Sequence, residues 1–221
     1  MSYYRRFRIV LENPLFQMYL RKEYVRGIND LKKLNFKPEL GKKGFTCLLC
    51  GVGNEATADQ FIEFVLQRNP EAKIVIIDLG EEQVSAVSKL VKDKYSDSKI
   101  LIKRINALDL PTILKDESVD WIETDGFLEF FDSQSISKML KVWYQILSDD
   151  GFITTRMPLF NNGFEKMIYK WAVVIAKKWL GVDLYAYKKE YFNSLIVKNN
   201  FIYTDHLTMI PTMQSYSLIK K

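Results

Sequence analysis

The sequence predicts an α/β fold, a mostly parallel sheet with helices on both faces and an antiparallel last strand. Strand-like and helix-like runs alternate through the middle of the chain, which is the pattern of strands joined by crossover helices. One apolar run ends in Gly51-Val52-Gly53 and passes almost at once into a helical pattern. Such strand, glycine turn, helix units bind nucleotide-like cofactors. Near the end of the sequence only Pro211 to Gln214 separate two strand-like runs, too few residues for a crossover, so the last strand must run antiparallel.

Each element has its own signal. Residues 1–44 read as an N-terminal helical cap, with Pro14 and Pro38 as breaks and Gly41 and Gly44 as punctuation. The domain proper, 45–221, opens with a strand over 45–50, followed by a helix over 57–69 and a strand over 73–78. A helix over 81–94 and strands over 99–104 and 119–123 come next. A helix from Ser133 to Leu147, a turn at Asp149-Asp150-Gly151 and a fifth strand over 152–156 complete the crossover part. A helical insertion at about 159–199, helical from 163, precedes two final strands over 201–210 and 215–219.

The totals bound the function. A chain of 221 residues, 48% of them hydrophobic, fills one large domain and leaves too little for a second substrate domain. The longest apolar stretch in the insertion, Trp171 to Ala176, is far short of the ~20 residues of a spanning helix. The start has no apolar h-region or small-residue cleavage site, so the expectation is a cytoplasmic protein, free or peripheral to a membrane. Cys47 and Cys50 lie three apart on a strand with their thiols on opposite faces, as two buried small apolar residues and neither a disulfide nor a zinc pair. Residues 1–44 carry 11 Lys/Arg against 4 Asp/Glu, a net +7; residues 45–162 carry 12 against 19, a net −7; residues 163–200 carry 7 against 3, a net +4. Two basic segments thus bracket an acidic body, either as solvated helix faces or as flanks of a site for an anionic partner.

Ligands of open α/β sheets bind beyond the carboxyl ends of the strands. Those ends are Gly51 and Gly53, Asp78, Asn106, Thr124 with Asp125, and Arg156. An ionised Asp78 can accept hydrogen bonds from both hydroxyls of an adenosine ribose, and Asn106 can meet an adenine edge. A dinucleotide competes, because residues 51–56 also satisfy G-x-G-x-x-A. Glu55 opposes it: a carboxylate about 5 Å from a pyrophosphate costs roughly 3 kcal/mol per facing charge at an effective ε of about 20. A zwitterionic amino-acid cofactor carries an ammonium that Glu55 can favour.

With CLLCGVGNEA, IVIIDL, INALDLP, ESVDWIETDGFLEFF and YQILSDDGFITTRMP in this order, the chain resembles the class I S-adenosylmethionine (SAM)-dependent methyltransferases. The resemblance covers residues 40–221 and implies a Rossmann-like, seven-stranded sheet. It implies that Gly51, Val52 and Gly53 approach the methionyl part, that Asp78 and Leu79 lie at the ribose, and that Asn106 and Ala107 contact the adenine. Glu55, Thr124 and Asp125 complete the implied cofactor contacts, with S-adenosylhomocysteine as product. The chain departs from the family pattern at Leu49, where an acidic residue is common, at Glu55 in place of the third glycine, and at Asn106 in place of an aspartate. Glu55 is then the candidate for holding the cofactor's ammonium.

Methyl transfer is an in-line displacement driven largely by positioning, so catalytic residues leave little trace in sequence. Phe130 stands where related enzymes often carry a histidine. Asp125, with Glu129 behind it, is the candidate base, or else a cofactor or loop-capping residue. Tyr4, Arg156 and Trp171 are candidate substrate contacts, Arg156 for a carboxylate or phosphate. The lone His206 reads as structural. No metal ligand set is assignable. In the insertion, Phe164, Met167, Ile168, Trp171, Ala172, Ile175 and Trp179 form an apolar stripe with lysines on other faces. That helix is a lid over the sheet edge, a wall of an apolar substrate pocket or a membrane-surface element. The implied reaction is methyl transfer to a small acceptor, anionic, amphipathic or lipid-like. RNA or protein methylation and non-catalytic SAM or nucleotide binding are the alternatives, with no stable nucleic-acid partner expected.

Overall fold

The computed structural model describes residues 8–221. Helix α1 (Pro14–Asp30) starts with Pro14, which is tolerated at a first helical position, and Asn13 Oδ1 accepts the Leu15 N–H at 2.9 Å. Strand β1 (Thr46–Cys50) leads through the glycine turn to α2 (Glu55–Leu66). Then follow β2 (Lys73–Asp78), α3 (Glu81–Lys94), β3 (Ile100–Arg104) and β4 (Val119–Asp125). Helix α4 (Ser133–Ile146) precedes β5 (Leu147–Phe160). The insertion contributes α5 (Gly163–Leu180), the two-residue β6 (Tyr187–Lys188) and α6 (Lys189–Lys198), and β7 (Phe201–Leu207) and β8 (Met213–Lys220) close the chain.

The strand order is β3-β2-β1-β4-β5-β8-β7, with β6 pairing the end of β5. Only β8 runs against its neighbours. The predicted fold class is therefore the observed one, apart from the unforeseen β6. The turn expected at Asp149-Asp150-Gly151 is also absent. There β5 is already strand, and its register against β4 jumps from Val119↔Leu147 to Trp121↔Phe152, so the extra residues are absorbed as a bulge.

Alternation along β1 sends Leu48 and Cys50 into the core beneath α4 and α6, and Cys47 and Leu49 into the core beneath α1 and α2. Both thiols are free and buried, and burial pushes both well above their ordinary range. The second core centres on Trp121, which stacks on Phe152 at 5.5 Å and meets Phe61 and Tyr24. Helix α1 approaches the sheet at Gly27, where a Cβ would come within 2.9 Å of Thr154 Cγ2. Ser217 Oγ donates to the Gly27 carbonyl at 2.8 Å.

Candidate functional site

Gly51, Val52, Gly53, Glu55 and Asp78 converge at the carboxyl ends of β1 and β2. Gly51 has φ +75°, and a Cβ there would lie 2.4 Å from Phe127 Cδ2. A Cβ on Gly53 would lie 2.7 Å from Leu11 Cδ1. Phe127, just past β4, and Leu11, ahead of α1, thus close on the turn. The Asp78 carboxylate accepts the Val52 N–H at 2.7 Å and the Gly80 N–H at 2.6 Å, one on each oxygen. Burial nevertheless raises its pKa, against those two hydrogen bonds. Each oxygen keeps a lone pair.

Asn54 caps α2 through a reciprocal box: its Oδ1 accepts the Thr57 N–H at 3.0 Å, and its own N–H donates to Thr57 Oγ1 at 3.2 Å. Two of the donors a pyrophosphate would use are thereby occupied. The Asn54 side chain is fully buried, and its Nδ2 has no protein partner. Such a group beside a glycine turn suits a ligand that brings an acceptor. Glu55 opens α2 and meets Arg8 Nη2 at 3.4 Å.

At the end of β3, Asn106 is exposed and caps the next turn, accepting the Leu108 N–H at 3.0 Å, while Ala107 is buried. Leu79 is exposed, and its carbonyl takes Arg104 Nε at 3.1 Å. Thr124 is fully buried, with its hydroxyl unpartnered. These residues line the same edge of the sheet without forming one contact cluster.

Of the expected substrate contacts, Arg156 and Trp171 are not where the sequence put them. Tyr4 lies outside the described residues. Arg156, read as an acceptor contact or a surface pair, is completely buried: its Nη2 donates to Glu123, and its Nε donates to Asp125 Oδ1 at 2.8 Å. Its guanidinium also lies 5.4 Å from the Tyr24 ring centroid. Burial raises the pKa of Glu123, with Arg156 and Thr154 opposing. Asp125 is therefore pinned by Arg156 and poorly disposed to act as a mobile base. Trp171, read as a pocket wall, is 66% exposed.

Trp171 is exposed because α5 has two apolar stripes. The predicted one faces outward at Phe164, Met167, Ile168, Trp171 and Ile175. The inward one is Tyr169, Val173 and Ala176, with Tyr169 and Ala176 buried. Tyr169 Oη donates to Glu129 Oε2 at 2.9 Å, and the Tyr185 N–H donates to the Glu129 carbonyl at 2.8 Å. Glu129 thus ties the loop after β4 to the insertion. Burial pushes its carboxyl up to about 7, with the Tyr169 hydrogen bond opposing. The sequence signal was the LEFF segment after β4, but nothing there showed that Tyr169 would reach it.

A cavity of about 450 Å³ runs beside the start of α1, lined by Ile9, Val10, Leu15, Phe16, Tyr19 and Met209 among others. One lining residue, Tyr19, has a buried hydroxyl within electrostatic reach of Asp125 and Arg156. His206, read as structural, is buried, with Glu23 Oε2 at 2.8 Å and Asp30 Oδ2 at 2.5 Å. Among the described residues no group of three or more His, Cys, Asp or Glu side chains is placed to hold a metal ion. Among them, too, no helix is long and apolar enough to cross a membrane.

A mainly parallel sheet with this order, one antiparallel strand and a glycine turn at the carboxyl end of its first strand defines the class: the chain has the fold of SAM-dependent methyltransferases. No family model and no curated protein sequence matches it. Among solved structures it is similar to PKMT2 from Rickettsia typhi in complex with AdoHcy, with TM-score 0.66, 15% identity, and coverage of 92% of this chain and 54% of that one. It is also similar to the mitomycin 7-O-methyltransferase MmcR, with TM-score 0.60, 11% identity, and coverage of 100% and 61%. A third similar structure is described as a Zn-dependent alcohol dehydrogenase from Rhodobacter sphaeroides, with TM-score 0.60, 13% identity, and coverage of 88% and 89%. The chain spans under two thirds of the length of the first two of these. At these identities the likeness concerns the fold.

Proposed function

We propose that this protein transfers a methyl group from SAM to a small amphipathic acceptor. The carrying observation is Asp78, a carboxylate fixed at the end of β2 by two backbone N–H groups, one of them from the glycine turn. That arrangement suits the two hydroxyls of a ribose. The capping box on α2 and the carboxylate of Glu55 disfavour a pyrophosphate at the same helix start, which argues for SAM over a dinucleotide. Gly51, Val52 and Gly53 would lie along the methionyl part, the free amide of Asn54 would meet an acceptor atom, and Asn106 and Ala107 would flank the adenine. Bound SAM supplies an electrophilic methyl on a sulfonium.

The chain's own residues would do the rest. Tyr19 and the apolar cavity beside it would take the acceptor's apolar part. Arg156 holds Asp125 in place. Glu129, with a carboxyl balanced near neutral pH, is better suited than Asp125 to receive a proton from an acceptor hydroxyl. Arg156, spent on Glu123 and Asp125, lends no support to an anionic acceptor.

Titration calorimetry with SAM, S-adenosylhomocysteine, NAD and NADP tests the reading. SAM and S-adenosylhomocysteine are expected to bind, and Asp78→Asn, which keeps an acceptor for the turn, is expected to weaken both by about tenfold or more, the equivalent of one charge-assisted hydrogen bond. Binding of NAD with none of SAM would overturn it.

A further inference from the structure

We propose that the outward face of α5 docks on a membrane surface rich in anionic lipid. Phe164, Ile168, Trp171 and Ile175 follow i, i+4, i+7, i+11 spacing, so they form one face, and Met167 and Val174 widen it. All six are between 45% and 67% exposed, which is unusual for adjacent large apolar side chains on a folded domain. The helix is held from behind by buried Tyr169 and Ala176, so the apolar face is presented by a fixed element.

Charge decides what covers it. Residues 163–180 contain four lysines and one glutamate. Glu165 is turned to the helix start, where its carboxylate accepts the Asn161 N–H at 2.6 Å. Lys166 and Lys170 are exposed along one flank of the apolar face, Lys177 on the same flank pairs with Asp183 Oδ1 at 2.7 Å, and exposed Lys178 stands at the C-terminal end of the face. This is the make-up of an interfacial helix: an aromatic and aliphatic face edged by ammonium groups that reach headgroup phosphates. A second copy fits poorly: antiparallel two-fold pairing across this helix would bring the lysine flanks together, and parallel pairing would set Lys178 against its own copy. Docking would act on the loop after β4, because Tyr169 of the same helix holds Glu129.

The test needs neither methyl donor nor turnover. The full chain is floated with vesicles of phosphatidylcholine alone and with about 30 mol % phosphatidylglycerol added, at low and at high salt. At least tenfold stronger binding to the anionic vesicles, weakened by salt, is expected. Phe164→Ser with Trp171→Ser should lose at least tenfold of that binding while keeping the wild-type circular dichroism and thermal midpoint. Lys166→Gln with Lys170→Gln, a second and milder variant, should lose most of the preference for anionic lipid. No binding to either vesicle, or unchanged binding by both variants, would overturn the proposal. So would light scattering that shows a dimer dissolved by the serine variants without any vesicle binding.

Discussion

Gly51→Ala tests how tightly the glycine turn is built. Two costs add at this position. An L-residue at φ +75° costs about 1–2 kcal/mol relative to glycine, offset by up to about 1 kcal/mol from the lower entropy of the unfolded chain. The second cost is steric. The new methyl would stand 2.4 Å from Phe127 Cδ2, where carbon atoms prefer about 3.5–4.0 Å, so the ring must retreat by more than an ångström. Phe127 packs edge-on against Phe131 at 4.9 Å, so it cannot swing away freely, and such overpacking costs about 1–3 kcal/mol. The sum is about 1–5 kcal/mol, or roughly 2–20 °C in thermal midpoint for a domain of this size. Urea denaturation followed by circular dichroism would measure it, and Phe127→Ala separates the two parts. In that background Gly51→Ala should cost only the backbone part, leaving a coupling energy of about 1–3 kcal/mol. Equal costs in both backgrounds would refute the steric reading, and a neutral Gly51→Ala would refute both parts.

Glu129 predicts a pH dependence. Its folded pKa of about 7 lies above the ordinary 4.5, so the stability it gives is complete below about pH 4.5 and is lost as pH rises through about 7. Integrated, this is at most about 3 kcal/mol, so Glu129→Gln should match wild type near pH 4.5 and be more stable at pH 8, as read by thermal midpoints across pH. Tyr169→Phe removes the hydrogen bond that favours the charged carboxylate, so the midpoint of this pH dependence should move upward; a downward move would contradict the assigned contact. Arg156→Met strands a buried carboxylate and should cost about 3–5 kcal/mol in urea unfolding, much of it recovered by adding Glu123→Gln. No recovery in the double variant would mean that Glu123 is not the partner that matters.

Much of the sheet was legible because its strands are short apolar runs bounded by turn residues, and because Pro211 to Gln214 leave room for nothing but a hairpin. Asp149-Asp150-Gly151 misled because turn composition says nothing of a neighbour: the paired Leu147 and Phe152 on either side keep the strand running, and these residues are its bulge. The glycine turn, Asp78 and Asn106 stood out because they sit at the ends of strands that the sequence already delimits. Arg156 could not be read: an arginine at a strand end looks available until Glu123 and Asp125 are seen on the adjoining strand in register. The insertion failed for another reason. Hydrophobic periodicity gives a helix its faces, but α5 has two apolar stripes, and only packing chose Tyr169 and Ala176 as the inner one.

Helix α1 and the β7–β8 hairpin fasten one another across nearly the whole chain. Glu23 and His206 are separated by 183 positions, and Asp30 and His206 by 176. During synthesis α1 therefore emerges with two carboxylates whose imidazole partner does not yet exist, and with Gly27 facing strands still to come. The final hairpin is thus a latch in the finished fold: His206 on β7 holds both carboxylates of α1 out of solvent, so the two ends of the chain are fastened through one imidazole.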